Sequence, residues 1–346
     1  MAIIDFCKHL LCEELRHLIT TYLLKQESAF FSIKMIFSSN NRPGKQLLAF
    51  AVCIFSLLLN TGVIALDLEP RAYVNTPSGL NFLLIGYQNA DGALVQDPSL
   101  PVTDSQINHD LGFIGYVRTL GLSGKSAKMG MVLPYASMDA SGFLDGDFRS
   151  RETDGLADPA FYFTINLIGA PALSVKEFSG FKQDTIIGFS FKLTAPLGEY
   201  ENDKVLNLGA NRWSFEPEIG ISKAIGNLTL ESAASVFLYT DNDDFFNGMT
   251  RTQEPIYAVQ VHAIYSFPKA IWASVGATYF IGGETSVDGI KKTDELENWR
   301  TGFTVALPLT RHHSIKLFGH SGISTRIGTD YDALGIAWQY RWGRDF

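Results

Sequence analysis

Polar and charged side chains recur along this chain at every second residue, between large apolar ones. In IIGFSFKLTAPLG, for example, Lys192 alternates with Phe191 and Leu193. Side chains of both charges that face one cavity can filter solutes electrostatically. The pattern therefore predicts a polar lining made by Lys192, Glu216, Glu218, Glu231, Gln260, His262, Arg300, Lys316, His320, Arg326, Gln339 and Arg341. The alternative is that these residues pair across the cavity and fill it.

Other polar groups suggest catalysis or metal binding less well. FGHSGIS places His320 beside Ser321, but neighbours on a strand point to opposite faces and cannot form a catalytic dyad. TDNDDFFNG contains Asp241, Asp243 and Asp244 without the turn glycine of a calcium loop. We therefore expect a solvated acidic loop, no enzymatic activity, no metal and no cofactor. A lipid hydrolase remains the less favoured alternative.

The elements that would position the polar set are β-strands. A two-residue period recurs from Gly79 to the end of the chain, with almost no helical period. Segments of about ten to fourteen residues are long for soluble strands but suit tilted membrane-spanning strands. They lie near 79–90, 106–119, 125–136, 156–168, 183–197, 213–224, 228–239, 254–267, 270–281, 299–309, 314–326 and 333–346.

Two kinds of fold produce such alternation. In a soluble sandwich the apolar face points inward, whereas in a membrane barrel it points to lipid and the polar face lines the lumen. The strand lengths, and aromatic residues near segment ends, favour the barrel. The sequence therefore predicts an all-β protein: a transmembrane antiparallel β-barrel of about 12 strands, of the bacterial outer-membrane type.

The connections between segments alternate in length. AIGN, FPKA and LTRHHS are short, whereas DGALVQDPSLPVTDSQ, DASGFLDGDFRSRETD, GEYENDKVLNLGAN, YTDNDDFFNGMTRTQ and GGETSVDGIKKTDELEN are long and polar. Outer-membrane barrels have short periplasmic turns and long extracellular loops. An even strand count then places both termini in the periplasm. One further connection, GAPALSVKEFSGFKQ, is long for a turn and could carry a short helix, and NLGANRW and GGETSVDG could fold into the mouth as a constriction.

The N-terminal region predicts export. Arg42 and Lys45 precede an apolar stretch from Leu47 to Leu59, and Val63 and Ala65 form a small-residue cleavage site. We expect residues 35–65 to be a signal peptide cleaved after Ala65, with a single membrane anchor as the alternative. Residues 1–34 are then a mis-called upstream segment, and residues 66–346 are the barrel. Cys7, His9, Cys12 and His17 match no zinc spacing.

The chain ends in an alternating aromatic strand, LGIAWQYRWGRDF. In lipid no edge strand can stay unpaired, so the last strand must pair with the first. Trp338, Tyr340, Trp342 and Phe346 resemble the C-terminal signal of outer-membrane barrels, which implies recognition by the outer-membrane assembly machinery. The formal net charge of -8 argues against a nucleic-acid partner.

Several stretches together resemble the outer-membrane transporter family of the meta-pathway of phenol degradation. They are RAYVNTPSGLNFLLIGY, GLADPAFYF, APLGEY, NLGANRWSFEPEIGIS, YFIGGETSVDG, NWRTGFTVALPL and GISTRIGTDYDA. The resemblance implies an outer-membrane channel for passive uptake of small hydrophobic or aromatic compounds. Its partners would be outer-membrane lipid, lipopolysaccharide and such solutes. A non-conducting structural or adhesive barrel in the outer membrane is the alternative.

Overall fold

Seventeen β-strands account for most of the part of the chain that the structure, a computed structural model, describes: residues 69–95, 102–144, 147–204, 206–326 and 328–343. They are β1 (Leu80–Val95), β2 (Val102–Leu122), β3 (Lys125–Leu144), β4 (Asp147–Leu156), β5 (Ala160–Ile168), β6 (Thr185–Thr194), β7 (Ser214–Ile225), β8 (Leu228–Tyr239), β9 (Asn242–Phe245), β10 (Met249–Gln253), β11 (Ile256–Ser266), β12 (Trp272–Gly282), β13 (Thr285–Val287), β14 (Ile290–Lys291), β15 (Leu296–Pro308), β16 (His313–Ser324) and β17 (Gly328–Gly343).

Thirteen of these strands form one closed antiparallel sheet. Its order is β2-β1-β17-β16-β15-β12-β11-β8-β7-β6-β5-β3-β4, and β2 also pairs with β3, which closes the ring, whereas β4 pairs with β3 alone. β4 and β5 pair with successive parts of the same edge of β3. They act as one wall strand interrupted at 157–159, where Pro159 cannot donate a ladder hydrogen bond. The prediction of an antiparallel barrel of about twelve strands is therefore confirmed, and the last strand pairs with the first as expected.

The outer surface is apolar where the barrel would meet lipid. On β3, for example, the outward side chains of Met129, Met131 and Leu133 are 51%, 42% and 41% exposed. Outward residues of β11, including Val259 and Val261, are similarly exposed. A soluble protein would bury such a band, whereas a membrane barrel presents it to acyl chains.

The alternation reverses farther along β3. Beyond Pro134 the apolar side chains of Met138 and Ala140 point inward and are buried, while Asp139 points outward. Sequence DASGFLDGDFRSRETD, expected to be a loop, is instead the paired end of β3 and the start of β4. Beyond Pro134 the outward face of β3 meets water rather than lipid. Polar residues therefore occupy that face and apolar residues the inward face, which is the opposite of the pattern in a membrane-spanning strand.

The two ends of the barrel differ. At the turn end, the connections 123–124, 226–227, 267–271 and 309–312 are short, and Ser123 and Gly124 both have positive φ, as a two-residue hairpin requires. The connection 169–184 carries a helix, α1 (Val175–Phe178), capped by Ser174. The short helix predicted for this connection is thus confirmed. Among the described residues, no helix is long and apolar enough to cross a membrane.

The opposite end, the loop end, carries the connection 195–213 and a second, small sheet. β9, β10, β13 and β14 form this cap sheet in the order β14-β13-β10-β9. Its strands come from the two connections 240–255 and 283–295, which the sequence indicated only as polar loops.

Candidate functional site in the barrel lumen

Eleven of the twelve polar residues singled out above lie on inward positions of the wall. Residues directly opposite each other in an antiparallel pair share a face, and the register links Ser222 to Glu231 and Glu231 to His262. The inward eleven are Lys192, Glu216, Glu218, Glu231, Gln260, His262, Arg300, Lys316, His320, Gln339 and Arg341. Their role in selecting solutes stays a prediction.

Arg326 lies elsewhere. It follows the end of β16 at the loop end, half-exposed, with its guanidinium 3.4 Å from Glu295. Its backbone N–H donates to Asn298 Oδ1 at 2.9 Å. Because it is outside the wall strands, Arg326 would act at the entrance rather than within the lumen.

Many inward side chains pair with one another. Lys192 Nζ lies 2.6 Å from Glu216 Oε2, and Gln260 Nε2 donates to Glu218 Oε2 at 2.6 Å. His262 Nε2 is 3.3 Å from Gln260 Oε1. These contacts join residues of the same strand or of nearby strands, so they form a polar network along the wall from β6 to β11.

Residues 69–78, the N-terminal segment, occupy the lumen from the turn end. Glu69 pairs with Lys316 at 3.0 Å, and the backbone N–H of Arg71 donates to Glu231 Oε2 at 2.7 Å. Near β1 the backbone N–H of Ser78 donates to the carbonyl of Leu173 at 2.8 Å. Contacts to opposite parts of the wall place this segment across the lumen.

Tyr73 is the anchor of the N-terminal segment. Its side chain is 1% exposed, and its hydroxyl donates to Glu218 Oε1 at 2.6 Å. The ring lies against Gly188 and Gly220, which face each other on β6 and β7. A Cβ at either glycine would overlap the ring, so these two positions form a seat that only glycine leaves open.

At the loop end, the connection 195–213 reaches the far wall. Leu206 and Leu208 pack against a buried apolar cluster formed by Ala90, Ile107, Met138, Ala140, Tyr331 and Ala333, which belong to β1, β2, β3 and β17. This agrees with the hypothesis that NLGANRW folds into the mouth. The connection is held by Asp158, whose carboxylate accepts from the backbone N–H of Gly198 at 2.8 Å and of Ala210 at 2.7 Å. Burial raises the pKa of Asp158, although these hydrogen bonds oppose the shift.

The wall of the lumen also carries an apolar patch. The polar residues named above lie mainly on β6 to β11 and on β15 to β17. On the inward faces of β1, β2 and β3, between the polar residues Gln88 and His109 on one side and Lys128 on the other, lies an apolar inner wall formed by Phe82, Leu84, Phe113, Val117, Val132 and Pro134. Register places these six side chains on one face. A purely aqueous pore has no need of such a wall.

Arg212 and Arg251 add charge above the lumen. Arg212 precedes β7, and Arg251 belongs to β10 of the cap sheet. Burial, and then the neighbouring charge of Arg251, lower the pKa of Arg212 to about 10, so it remains charged at neutral pH. Sequence reasoning missed both residues because neither lies in an alternating segment.

The structure also resolves the remaining candidate sites. His320 is inward and buried, whereas Ser321 is outward and donates to Asp332, so they form no dyad. Across the described ranges, no group of three or more His, Cys, Asp or Glu is arranged to hold a metal ion. Trp338, Tyr340 and Trp342 form a stack of outward rings, with centroids 6.2 and 5.4 Å apart. Phe346 and the predicted signal peptide lie outside the described residues.

Comparisons with known proteins give one matching family and several similar solved structures. A family model described as "Putative MetA-pathway of phenol degradation" matches residues 87–334. The crystal structure of an outer membrane channel from Pseudomonas putida F1 aligns with a TM-score of 0.68 at 21% identity, covering 80% of this chain and 100% of that chain. The β domain of the Bordetella autotransporter BrkA aligns with a TM-score of 0.47 at 13% identity, covering 77% and 100%. No curated protein sequence matches the chain. Because the sequence identity to the P. putida channel is 21%, this comparison shows similarity of the fold alone.

Proposed function

Because the chain belongs to the family described as the putative MetA-pathway of phenol degradation, we propose that it is an outer-membrane channel for passive uptake of small hydrophobic or aromatic compounds. The apolar outer band fits a membrane-embedded barrel. In this proposal residues 35–65 direct export, the turn end faces the periplasm, and the loop end faces the medium and the lipopolysaccharide. Trp338, Tyr340, Trp342 and Phe346 serve recognition by the assembly machinery.

The apolar inner wall is the observation that supports apolar or aromatic compounds as the solutes. A channel for sugars or ions is expected to be lined by polar groups all round, whereas here part of the lumen wall is formed by Phe82, Leu84, Phe113, Val117, Val132 and Pro134. An apolar solute can leave water by binding this surface. The N-terminal segment and Leu206 and Leu208 narrow the route at the two ends, which disfavours free flow of water and ions.

Solute flux into liposomes tests this proposal. The purified full-length barrel is reconstituted into liposomes that contain lipopolysaccharide, because plain phospholipid lets phenol pass without a channel, and entry of phenol is compared with entry of glucose. Phenol is expected to enter much faster than through protein-free liposomes, and glucose is not. Introducing an amide into the inner wall with Leu84→Asn should slow phenol severalfold. Thr304→Asn, which places the same group at an inward position of β15 beside Ser274 and outside the apolar inner wall, is the matched control.

Two outcomes would contradict the proposal. Equal entry of phenol and glucose would indicate a general pore. No entry of either solute would favour the second candidate, a non-conducting structural barrel, for which the N-terminal segment lodged in the lumen is the supporting observation.

A further inference from the structure

Two arginines at the loop end, Arg212 and Arg251, lie near each other, and neither is ion-paired with a carboxylate of the described residues. Arg212 Nη2 donates to Gln253 Oε1. Gln253 and Arg251 are two residues apart on β10 and so point to the same side of that strand. Arg212 therefore lies against the face of the cap sheet that also carries Arg251.

The hydrogen-bonding capacity of this pair is largely unused. Nη1 of Arg212 is buried and has no hydrogen-bond partner, and no residue in the described ranges accepts a hydrogen bond from the guanidinium of Arg251. The carboxylates of Asp294 and Asp241 lie near Arg251 and Arg212 but form no ion pair with them in the described ranges, and Asp294 accepts from the backbone N–H and the hydroxyl of Thr285 at 2.8 and 2.6 Å. A buried donor without an acceptor is costly, so the site is suited to a ligand that brings one.

Aromatic rings adjoin both guanidinium groups. Arg212 lies 4.3 Å from the centroid of the Tyr239 ring, and Arg251 lies 5.4 Å from that of Phe245. Toward the lumen, Tyr239 packs with Phe237 against the cluster of Ile256, Ala258 and Phe280. The rings of Phe237 and Phe280 are 6.2 Å apart, tilted by 50°. Cationic donors thus border an apolar, aromatic surface.

We propose that Arg212 and Arg251 bind the carboxylate of an aromatic acid entering at the loop end, while its ring contacts Tyr239 and Phe237. Two arginines can take up a carboxylate through charge-assisted hydrogen bonds, and edge or offset contact with aromatic side chains suits a planar ring. This inference rests on the proposed uptake function and narrows its solutes to aromatic carboxylates.

Equilibrium binding to the full-length barrel in detergent tests this directly, without any measurement of transport. The probes are benzoate, benzyl alcohol, which keeps the ring without the charge, and acetate, which keeps the charge without the ring. Titration calorimetry should give tighter binding for benzoate than for either comparison probe. In Arg212→Gln/Arg251→Gln, the affinity for benzoate should fall at least about tenfold, as expected for loss of charged hydrogen bonds, with benzyl alcohol unchanged.

Matched variants separate a binding role from a structural one. Arg149→Gln removes the same charge from the β3–β4 hairpin, where the Arg149 side chain is 69% exposed, and should leave benzoate binding unchanged. Arg251→Lys keeps the charge but loses the planar fork and should weaken benzoate less than Arg251→Gln. If the double variant does not fold, the single variant Arg251→Gln is used for the same measurement. It is expected to fold, because the guanidinium of Arg251 donates no hydrogen bond to the described residues.

The inference is overturned if wild-type protein does not prefer benzoate over benzyl alcohol and acetate, or if the arginine variants bind it as wild type does. Equal weakening of benzoate and benzyl alcohol would also overturn it, since that result indicates a general disturbance of the cap sheet. Failure of phenol flux in liposomes, with benzoate binding intact, would refute the transport function alone.

Discussion

Replacing Tyr73 should release the N-terminal segment from the lumen. The ring is buried against Gly188 and Gly220, and the hydroxyl donates to Glu218. Tyr73→Ala removes both interactions. Tyr73→Phe removes only the hydrogen bond and keeps the ring in its seat. The two substitutions therefore weaken the binding of the N-terminal segment to the wall to different degrees at one position.

The magnitude follows from the two interactions. Truncation of a fully buried aromatic side chain to alanine costs roughly 3–5 kcal/mol. With about 1.4 kcal/mol per factor of ten, Tyr73→Ala should shift the equilibrium between docked and undocked segment by roughly a hundredfold to a few thousandfold. A hydrogen bond to a charged group contributes about 1.5–3 kcal/mol, so Tyr73→Phe should shift it by roughly ten- to a hundredfold.

Single-channel recording in planar bilayers measures this shift as the fraction of time spent in a high-conductance state. Tyr73→Ala should increase that fraction most, Tyr73→Phe less, and wild type should show it least. Tyr265→Ala is the control, because Tyr265 is outward and 46% exposed. The reasoning is refuted if Tyr73→Ala conducts as wild type does, or if Tyr265→Ala has the same effect.

Three further substitutions probe the lumen. Gly220→Val places side-chain atoms where the Tyr73 ring lies, so bilayer recordings should resemble those of Tyr73→Ala, and combining both changes should add little; full additivity would argue against a shared seat. Leu206→Ser with Leu208→Ser weakens the contact with the far wall and should raise glucose entry into liposomes severalfold, whereas unchanged entry would mean the loop is no barrier. Arg300→Ala with Arg326→Ala removes two positive charges and should shift the reversal potential toward cation selectivity; an unchanged potential would place both residues outside the conduction route.

The fold was accessible from sequence because one physical rule acts on every wall strand. Each strand that crosses lipid must alternate apolar and polar residues, so Phe189, Phe191 and Lys192 reveal their faces without knowledge of any partner. The same rule located eleven inward polar residues. It failed at Met138 and Ala140, where the outer face of β3 meets water and the alternation reverses.

The occupant of the lumen was not accessible in this way. Residues 69–78 have no periodic pattern, and their partners are distant in sequence. Tyr73 could have been suspected only from the seat opposite it, where Gly188 and Gly220 interrupt the inward faces of two neighbouring strands. Recognising that pair requires the register of β6 against β7, which the sequence does not supply.

The cap sheet escaped detection for a different reason. Its strands are two to five residues long, too short for a two-residue period to stand out. Arg212 and Arg251 belong to separate connections. They lie near each other because Arg212 donates a hydrogen bond to Gln253, which is on the same strand as Arg251. Their proximity is a property of tertiary structure.

The contacts of the N-terminal segment also constrain the order in which the protein can be built. Glu69 meets a partner 247 residues away, Arg71 one 160 residues away and Tyr73 one 145 residues away. Interactions between such distant residues are slow to form, and here the partners belong to β16, β8 and β7. Residues 69–78 are the first part of the described chain to be synthesised. They can dock only after most of the wall strands have assembled, so a docked N-terminal segment is expected only in a nearly complete barrel.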